Sequence, residues 1–79
     1  MIPWGKWVEL HREYRGISIA RLAREAGVSL CTFYSWKRRQ GDPSLGSMLR
    51  VFEAFGLEPW EGLLLMERAD PEDYRPEEV

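Results

Sequence analysis

Residues 19–36 read Ile-Ala-Arg-Leu-Ala-Arg-Glu-Ala-Gly-Val-Ser-Leu-Cys-Thr-Phe-Tyr-Ser-Trp, and this stretch decides the fold. Its apolar residues recur at intervals of three and four, which predicts two short helices. Ala23 lies four residues before Gly27 and is small enough to let the two helices approach closely. Gly27 can adopt the positive φ that ends a helix at no steric cost. The spacing therefore predicts two helices joined by a tight turn, the helix-turn-helix arrangement.

The side chains expected to hold this unit together share apolar or small character and inward-facing positions. They are Leu22, Ala23, Gly27, Val28, Phe33 and Trp36. A motif of this kind usually presents its second helix to the DNA major groove.

The rest of the chain extends the same helical pattern. We expect five helices, at about residues 4–15, 19–26, 30–39, 45–55 and 60–68, in one all-α domain covering residues 1–68. The first helix should bury Trp4, Trp7, Val8, His11 and Tyr14, and the fourth should bury Leu45, Met48, Leu49, Phe52 and Phe55. Residues 69–79 carry two prolines and five acidic residues and are expected to be extended and solvated.

Composition excludes several classes of protein. The chain has 79 residues with 44% hydrophobic and 13% aromatic content, which argues against disorder. One cysteine and one histidine cannot form an internal disulfide or a closed zinc site, so no metal or other cofactor is expected. The absence of a long apolar run and of a signal-like start predicts a cytoplasmic protein with no membrane partner.

Charge is divided along the chain. Residues 12–50 carry eight Lys and Arg against three acidic residues, whereas residues 51–79 carry nine acidic residues against two arginines. The basic half contains the two-helix motif, as a surface that faces phosphates requires. The alternative is that these cations only solvate helix faces.

The second helix of the motif has one polar outer face. At 100° per residue, Phe33 and Trp36 point inward together with Gln40. Cys31, Tyr34, Ser35 and Arg38 share the opposite side, flanked by Leu30 and Thr32. These six are candidates for contact with base edges. Candidates for phosphate contact lie at helix N-termini or carry positive charge: Ser18, Arg21, Lys37, Arg39, Ser44 and Ser47.

The chain resembles the Cro/repressor (Xre-type) helix-turn-helix family of phage and bacterial transcriptional regulators. The resemblance covers about residues 7–66 and rests on four motifs in order: Gly16-Ile17-Ser18, Leu22-Ala23-Arg24-Glu25-Ala26-Gly27-Val28-Ser29, Pro43-Ser44-Leu45 and Ala54-Phe55-Gly56-Leu57. It implies a five-helix lambda-repressor-like domain, dimers bound to palindromic double-stranded DNA operators, and repression of transcription. It also implies base-reading positions at Ser29, Leu30, Cys31 and Ser35.

Two positions depart from the family pattern. Ile19 stands where the family commonly has a glutamine that contacts phosphate. Lys37 stands where the family often has a glutamate that pairs with an arginine matching Arg12. That ion pair cannot form here, so Arg12 lacks its usual partner and Lys37 is available to DNA.

Rival interpretations remain open at this point. The same fold can serve as an antitoxin-like or adaptor module that binds protein through Leu30, Cys31 and Tyr34. An enzyme is not expected, because His11 lies on an inward face and Cys31 has no neighbouring base. Cys31 could instead sense redox conditions.

Two further features of the sequence each allow two interpretations. The apolar run at residues 63–66 fits either a homodimer surface or deeper burial in a small domain. The acidic residues 69–79 either compete with DNA for the basic face or only add solubility.

Overall fold

The computed structural model describes residues 2–70 and 72–76, and within them the chain forms five helices and no strand. The helices are α1 (Trp4–Arg15), α2 (Ile19–Ala26), α3 (Leu30–Lys37), α4 (Leu45–Ala54) and α5 (Pro59–Arg68). The principal contacts join α2 with α4, α1 with α3, α2 with α3, and α4 with α5. The expected all-α architecture of five helices is confirmed. None of the helices in the described residues is long and apolar enough to cross a membrane.

Serine caps and glycine stops fix where the middle helices begin and end. The hydroxyls of Ser18, Ser29 and Ser44 each accept a backbone N–H three residues later, at 3.1 Å in every case. Such bonds satisfy one of the donors that a helix N-terminus otherwise leaves unpaired. Gly16 and Gly27 follow α1 and α2 in the left-handed conformation, with φ of 66° and 68°. These signals are local, so the sequence predicts the boundaries of α1 and α2 correctly.

The ends of the later helices differ slightly from the expected ones. Helix α3 ends at Lys37 rather than near residue 39, because Arg39 turns into the left-handed region at φ 58°. Gln40, expected on the inward side, is consequently exposed beyond the helix. Helix α4 ends at Ala54, and α5 begins one residue early at Pro59.

Aromatic rings from three helices form the centre of the core. Trp4 and Trp7 stack with ring centroids 5.6 Å apart, and Phe52 of α4 meets both rings edge-on at 5.8 and 5.4 Å. Trp36 of α3 packs edge-on against Trp4 at 5.5 Å. The aromatic cluster therefore fixes α3 to α1 and α4.

Two residues expected in the core lie at the surface. Tyr14 is 57% exposed, because it lies in the last turn of α1 and lines an open cavity rather than packing under a helix. Leu45 is 63% exposed, because it opens α4 where its side chain points back beyond the helix. Val51, by contrast, is fully buried on α4 although it was not expected in the core.

The chain after α5 returns to α1. Ala69 is buried, and the Tyr74 ring packs on the buried His11 with centroids 5.4 Å apart. The expectation that residues 69–79 are extended and solvated is therefore wrong at these two positions. Residues 71 and 77–79, to which that expectation also applied, lie outside the described residues.

Candidate nucleic-acid interface

Helices α2 and α3 form a two-helix unit whose inner side is closed. The backbone N–H of Val28 donates to the carbonyl of Ala23 at 3.0 Å, which completes the turn around Gly27. The other residues expected to hold the unit are buried: Leu22, Ala23, Val28, Phe33 and Trp36. Since the buried side chains use the inner face of α3, its outer face is left open to solvent.

The outer face of α3 presents the residues expected to contact bases. Leu30 and Tyr34 are 44% and 45% exposed, and Cys31 is also exposed. Thr32 and Ser35 are half-buried beside them. Arg38 is exposed at the end of the helix, where its Nε donates to Oε1 of Gln40 at 3.3 Å. The face thus changes from apolar groups in the first turn to a cation at the last.

Two hydroxyls at the start of α3 are engaged with each other. Oγ of Ser29 accepts the N–H of Thr32, and it also lies 2.8 Å from Oγ1 of Thr32. The structure therefore places Ser29 at the helix cap, where its hydroxyl serves α3 itself.

The residues expected to contact phosphate are spread over the N-termini of α2 and α4 and the end of α3. Ser44 donates its hydroxyl to Oγ of Ser47 at 3.0 Å, and Ser47 also accepts from Nη2 of Arg50 at 3.4 Å. Arg21 pairs with Glu25 at 2.9 Å across one turn of α2, so a phosphate must compete with that carboxylate. Arg50 was not among the expected contacts, although its i, i+3 spacing from Ser47 could have indicated it.

Three consecutive cations, Lys37, Arg38 and Arg39, extend the exposed surface beyond α3. Their position depends on Gly5, which the sequence did not single out. A Cβ added at Gly5 would lie 2.2 Å from the carbonyl oxygen of Trp36 and 3.3 Å from the backbone nitrogen of Lys37. Only glycine therefore allows α1 to approach the end of α3 this closely. The Trp4-Gly5-Lys6-Trp7 pattern was the available signal.

Arg12 has other partners in place of the ion pair that is common in the Cro/repressor family. Its Nη2 lies 2.8 Å from Oε2 of Glu9, and its Nη1 donates to the carbonyl of Ile17 at 2.8 Å. The hydrogen bonds that Arg12 donates to Glu9 raise the pKa of the Arg12 guanidinium above its usual value, against the opposing effect of burial. Arg12 thus ties α1 to the turn before α2, and Lys37 is exposed.

The part of the chain that the structure describes holds no cluster of metal-ligating side chains. Among residues 2–70 and 72–76, no three or more His, Cys, Asp or Glu side chains lie together as a metal site would require. His11 is 1% exposed and touches Arg15 and Tyr74 instead of the outer face of α3. Burial, with a smaller effect of Arg15, lowers the pKa of His11 to about 4.

Comparison with known proteins gives one informative relative. The chain is 35% identical over 69 residues to a protein of Methanocaldococcus jannaschii named "Putative HTH-type transcriptional regulatory protein". The match covers 87% of this chain but 22% of the relative, so the chain spans about a fifth of that protein's length. No family model matches the chain, and no solved structure matches it. The similarity agrees with the helix-turn-helix that α2 and α3 form.

Proposed function

We propose that this domain binds double-stranded DNA in a sequence-dependent manner and regulates transcription, with α3 entering the major groove. The main support for this proposal is the contrast between the buried and the exposed side of α3. The two-helix unit buries Phe33 and Trp36 and leaves Leu30, Cys31 and Tyr34 exposed on the opposite side of α3. A helix held in this way can enter a groove without losing the contacts that hold it in the domain.

The distribution of charge supports the same proposal. The exposed cations Lys37, Arg38 and Arg39 extend from the end of α3, and the capped N-termini of α2 and α4 add partial positive charge. In this proposal two sets of side chains contact DNA. Those facing bases are Ser29, Leu30, Cys31, Thr32, Tyr34, Ser35 and Arg38, and those facing phosphates are Ser18, Arg21, Lys37, Arg39, Ser44 and Ser47. The named relative, a regulatory protein of the helix-turn-helix type, supports a regulatory role rather than catalysis.

The finer proposal is a homodimeric repressor on a palindromic operator, in the manner of the Cro/repressor family. Three apolar side chains on α5 support self-association, because Trp60, Leu63 and Leu64 are 66%, 44% and 36% exposed. A monomeric domain gains nothing from presenting these groups to water. Sedimentation of the protein with and without operator DNA tests the dimer directly.

Selection from random duplex DNA, followed by sequencing of the bound pool, tests the main proposal. We expect enrichment of a two-fold symmetric site with half-sites about one helical turn apart. The salt dependence of binding to that site then tests the charged surface. Each phosphate contact contributes a slope of about −0.9 in a plot of log K against log salt.

Matched variants assign the contact to α3. Arg38→Ala should weaken binding and make the salt slope shallower, whereas Arg68→Ala removes an equal charge from α5 and should change neither. Ser35→Ala should alter which sequence is selected. Unchanged affinity and preference in both α3 variants would exclude α3 as the reading helix. An absence of any enriched site would favour the adaptor function, in which the apolar part of α3 contacts a protein.

A further inference from the structure

We infer that the first turn of α3 recognises the 5-methyl group of thymine, so that the preferred target is duplex DNA with thymines facing Leu30, Cys31 and Thr32. The inference rests on the proposed function and deepens it, because it names the chemical feature that the site reads. It follows from what the first turn exposes and from which polar groups are already engaged.

Leu30 is the largest apolar group at the start of the helix. Leu30 is 44% exposed at the first position of α3, so an apolar side chain lies in solvent on the helix proposed to bind DNA. Leucine offers no hydrogen bond, so any favourable contact it makes must bury apolar surface. In the major groove the thymine methyl is the apolar feature that a base pair presents.

The neighbouring hydroxyls are partly engaged with each other and with the helix cap. Oγ of Ser29 accepts the backbone N–H of Thr32 and lies 2.8 Å from Oγ1 of the same residue. One of the two hydroxyl protons is used in this contact, so a single donor is left, which cannot make a paired contact with a base edge. The other groups of the first turn are the isobutyl group of Leu30, the thiol of Cys31 and the methyl group of Thr32, all of them apolar or weakly polar.

The side chains that read other bases through paired hydrogen bonds are missing from this turn. Asn and Gln read adenine, Arg and Lys read guanine, and Asp and Glu accept from cytosine. None of these six types occurs among residues 29–32. The nearest long cations on the helix are Lys37 and Arg38, more than one turn further along. The thymine methyl is accordingly the feature that this surface complements.

Replacement of thymine by deoxyuridine tests the inference, because it removes the methyl group and preserves base pairing. The enriched site is synthesised with each thymine changed in turn, and binding to each duplex is measured at one fixed salt concentration. We expect about fourfold weaker binding for each methyl that α3 buries, in line with the loss of one buried methyl group. Thymines outside the half-sites should show no difference.

Protein variants connect the effect to named side chains. Leu30→Ala and Thr32→Ser each remove apolar surface without changing a buried core residue. Thr32→Ser also keeps the hydroxyl that contacts Oγ of the capping residue Ser29. Both should reduce the difference between thymine and deoxyuridine. Arg39→Ala, which removes only a charge, should weaken binding to both duplexes by the same factor.

Methyl recognition and sequence-dependent DNA binding are contradicted by different results. The protein could bind its site selectively, yet with affinities for the thymine and deoxyuridine duplexes that differ by less than twofold at every position. This result would overturn methyl recognition and leave the proposed function intact. If Leu30→Ala and Thr32→Ser both kept the full difference in affinity between thymine and deoxyuridine, the inference would also be overturned, because other residues would then contact the methyl group. Failure to bind the unmodified duplex above random DNA would overturn both.

Discussion

Gly5 and Trp36 bring α1 and α3 into direct backbone contact. A Cβ at Gly5 would lie 2.2 Å from the carbonyl oxygen of Trp36 and 2.7 Å from its carbonyl carbon. Both atoms belong to backbone, so neither can move aside as a flexible side chain would. Since Trp36 is the last buried residue of α3, this contact helps to set the direction in which the helix leaves the domain.

Gly5→Ala should therefore lower the free energy of unfolding by about 1–3 kcal/mol, as expected when a packed contact is overfilled. Gly46→Ala is the matched control, because an added Cβ there meets nothing within 4 Å and α4 is helical at that point. The control should raise stability by up to about 1 kcal/mol. Thermal unfolding followed by circular dichroism measures both. Equal melting temperatures for Gly5→Ala and the unmodified chain would contradict the close approach.

His11 should make the domain less stable in mild acid. Arg15 donates from Nη1 to Nδ1 of His11 at 2.7 Å, so the neutral ring carries its proton on Nε2, which donates to the hydroxyl of Tyr74. The pKa of His11 is lowered from 6.5 to about 4 in the folded protein. Between these values the unfolded chain binds more protons, so stability falls as pH decreases from 6.5 to 4 and changes no further below that.

Urea unfolding at pH 7 and pH 4 measures this effect. The unmodified chain should lose about 2 kcal/mol more than His11→Gln over that interval, because glutamine does not titrate. All other titrating groups are the same in both chains, so the difference between the two pH profiles reports His11. Parallel pH profiles for the two chains would show that His11 does not titrate differently in the folded state.

Two substitutions at Arg39 should differ in their effect on stability and agree in their effect on DNA binding. Its φ of 58° places a residue with a side chain in the left-handed region, which costs about 1 kcal/mol relative to glycine. Arg39→Gly should relieve that cost and raise the free energy of unfolding by about 1 kcal/mol relative to Arg39→Ala. Both variants lose the same charge, so both should weaken DNA binding equally.

Chemical denaturation and binding at one fixed salt concentration test these two effects together. Stabilities that do not differ between the glycine and alanine variants would show that the backbone at residue 39 relaxes without cost. Different affinities would show that the conformation, as well as the charge, matters for binding.

Arg12→Lys should destabilise the domain by about 1 kcal/mol, because a single ammonium cannot reproduce the fork that reaches both Glu9 and the carbonyl of Ile17. Arg24→Lys is the control, since Arg24 is exposed on α2, and it should leave the midpoint of urea unfolding unchanged. A loss in Arg12→Lys no greater than in the control would mean that the contact with the turn contributes nothing to stability.

The elements that the sequence predicts well are those with local signals. Ser18 and Gly27 fix the limits of α2 through a cap and a left-handed stop, both readable from neighbouring residues. The spacing of Phe33 and Trp36 likewise predicts which side of α3 is buried, and both residues are buried.

The features that were missed depend on distant parts of the chain. The residues around Gly5 can indicate a close approach at that position, but they do not identify the carbonyl of Trp36 as its partner. Nothing near Tyr74 indicates a buried histidine as its partner. Arg39 ends α3 earlier than its helix-forming neighbours suggest, since its left-handed turn leads the chain back past the start of α1. Which outer residues touch DNA stays a prediction, because solvent exposure alone does not identify a ligand.

The contact between His11 and Tyr74 has a consequence for biosynthesis. The two residues are 63 positions apart, and Nε2 of His11 lies 2.5 Å from the hydroxyl of Tyr74. A ribosome that has translated all five helices has still not delivered the hydroxyl that this buried imidazole requires. Until Tyr74 is added, His11 has Arg15 but not Tyr74 as a side-chain partner. The contact that covers this buried side chain is therefore made only after the last helix has been synthesised.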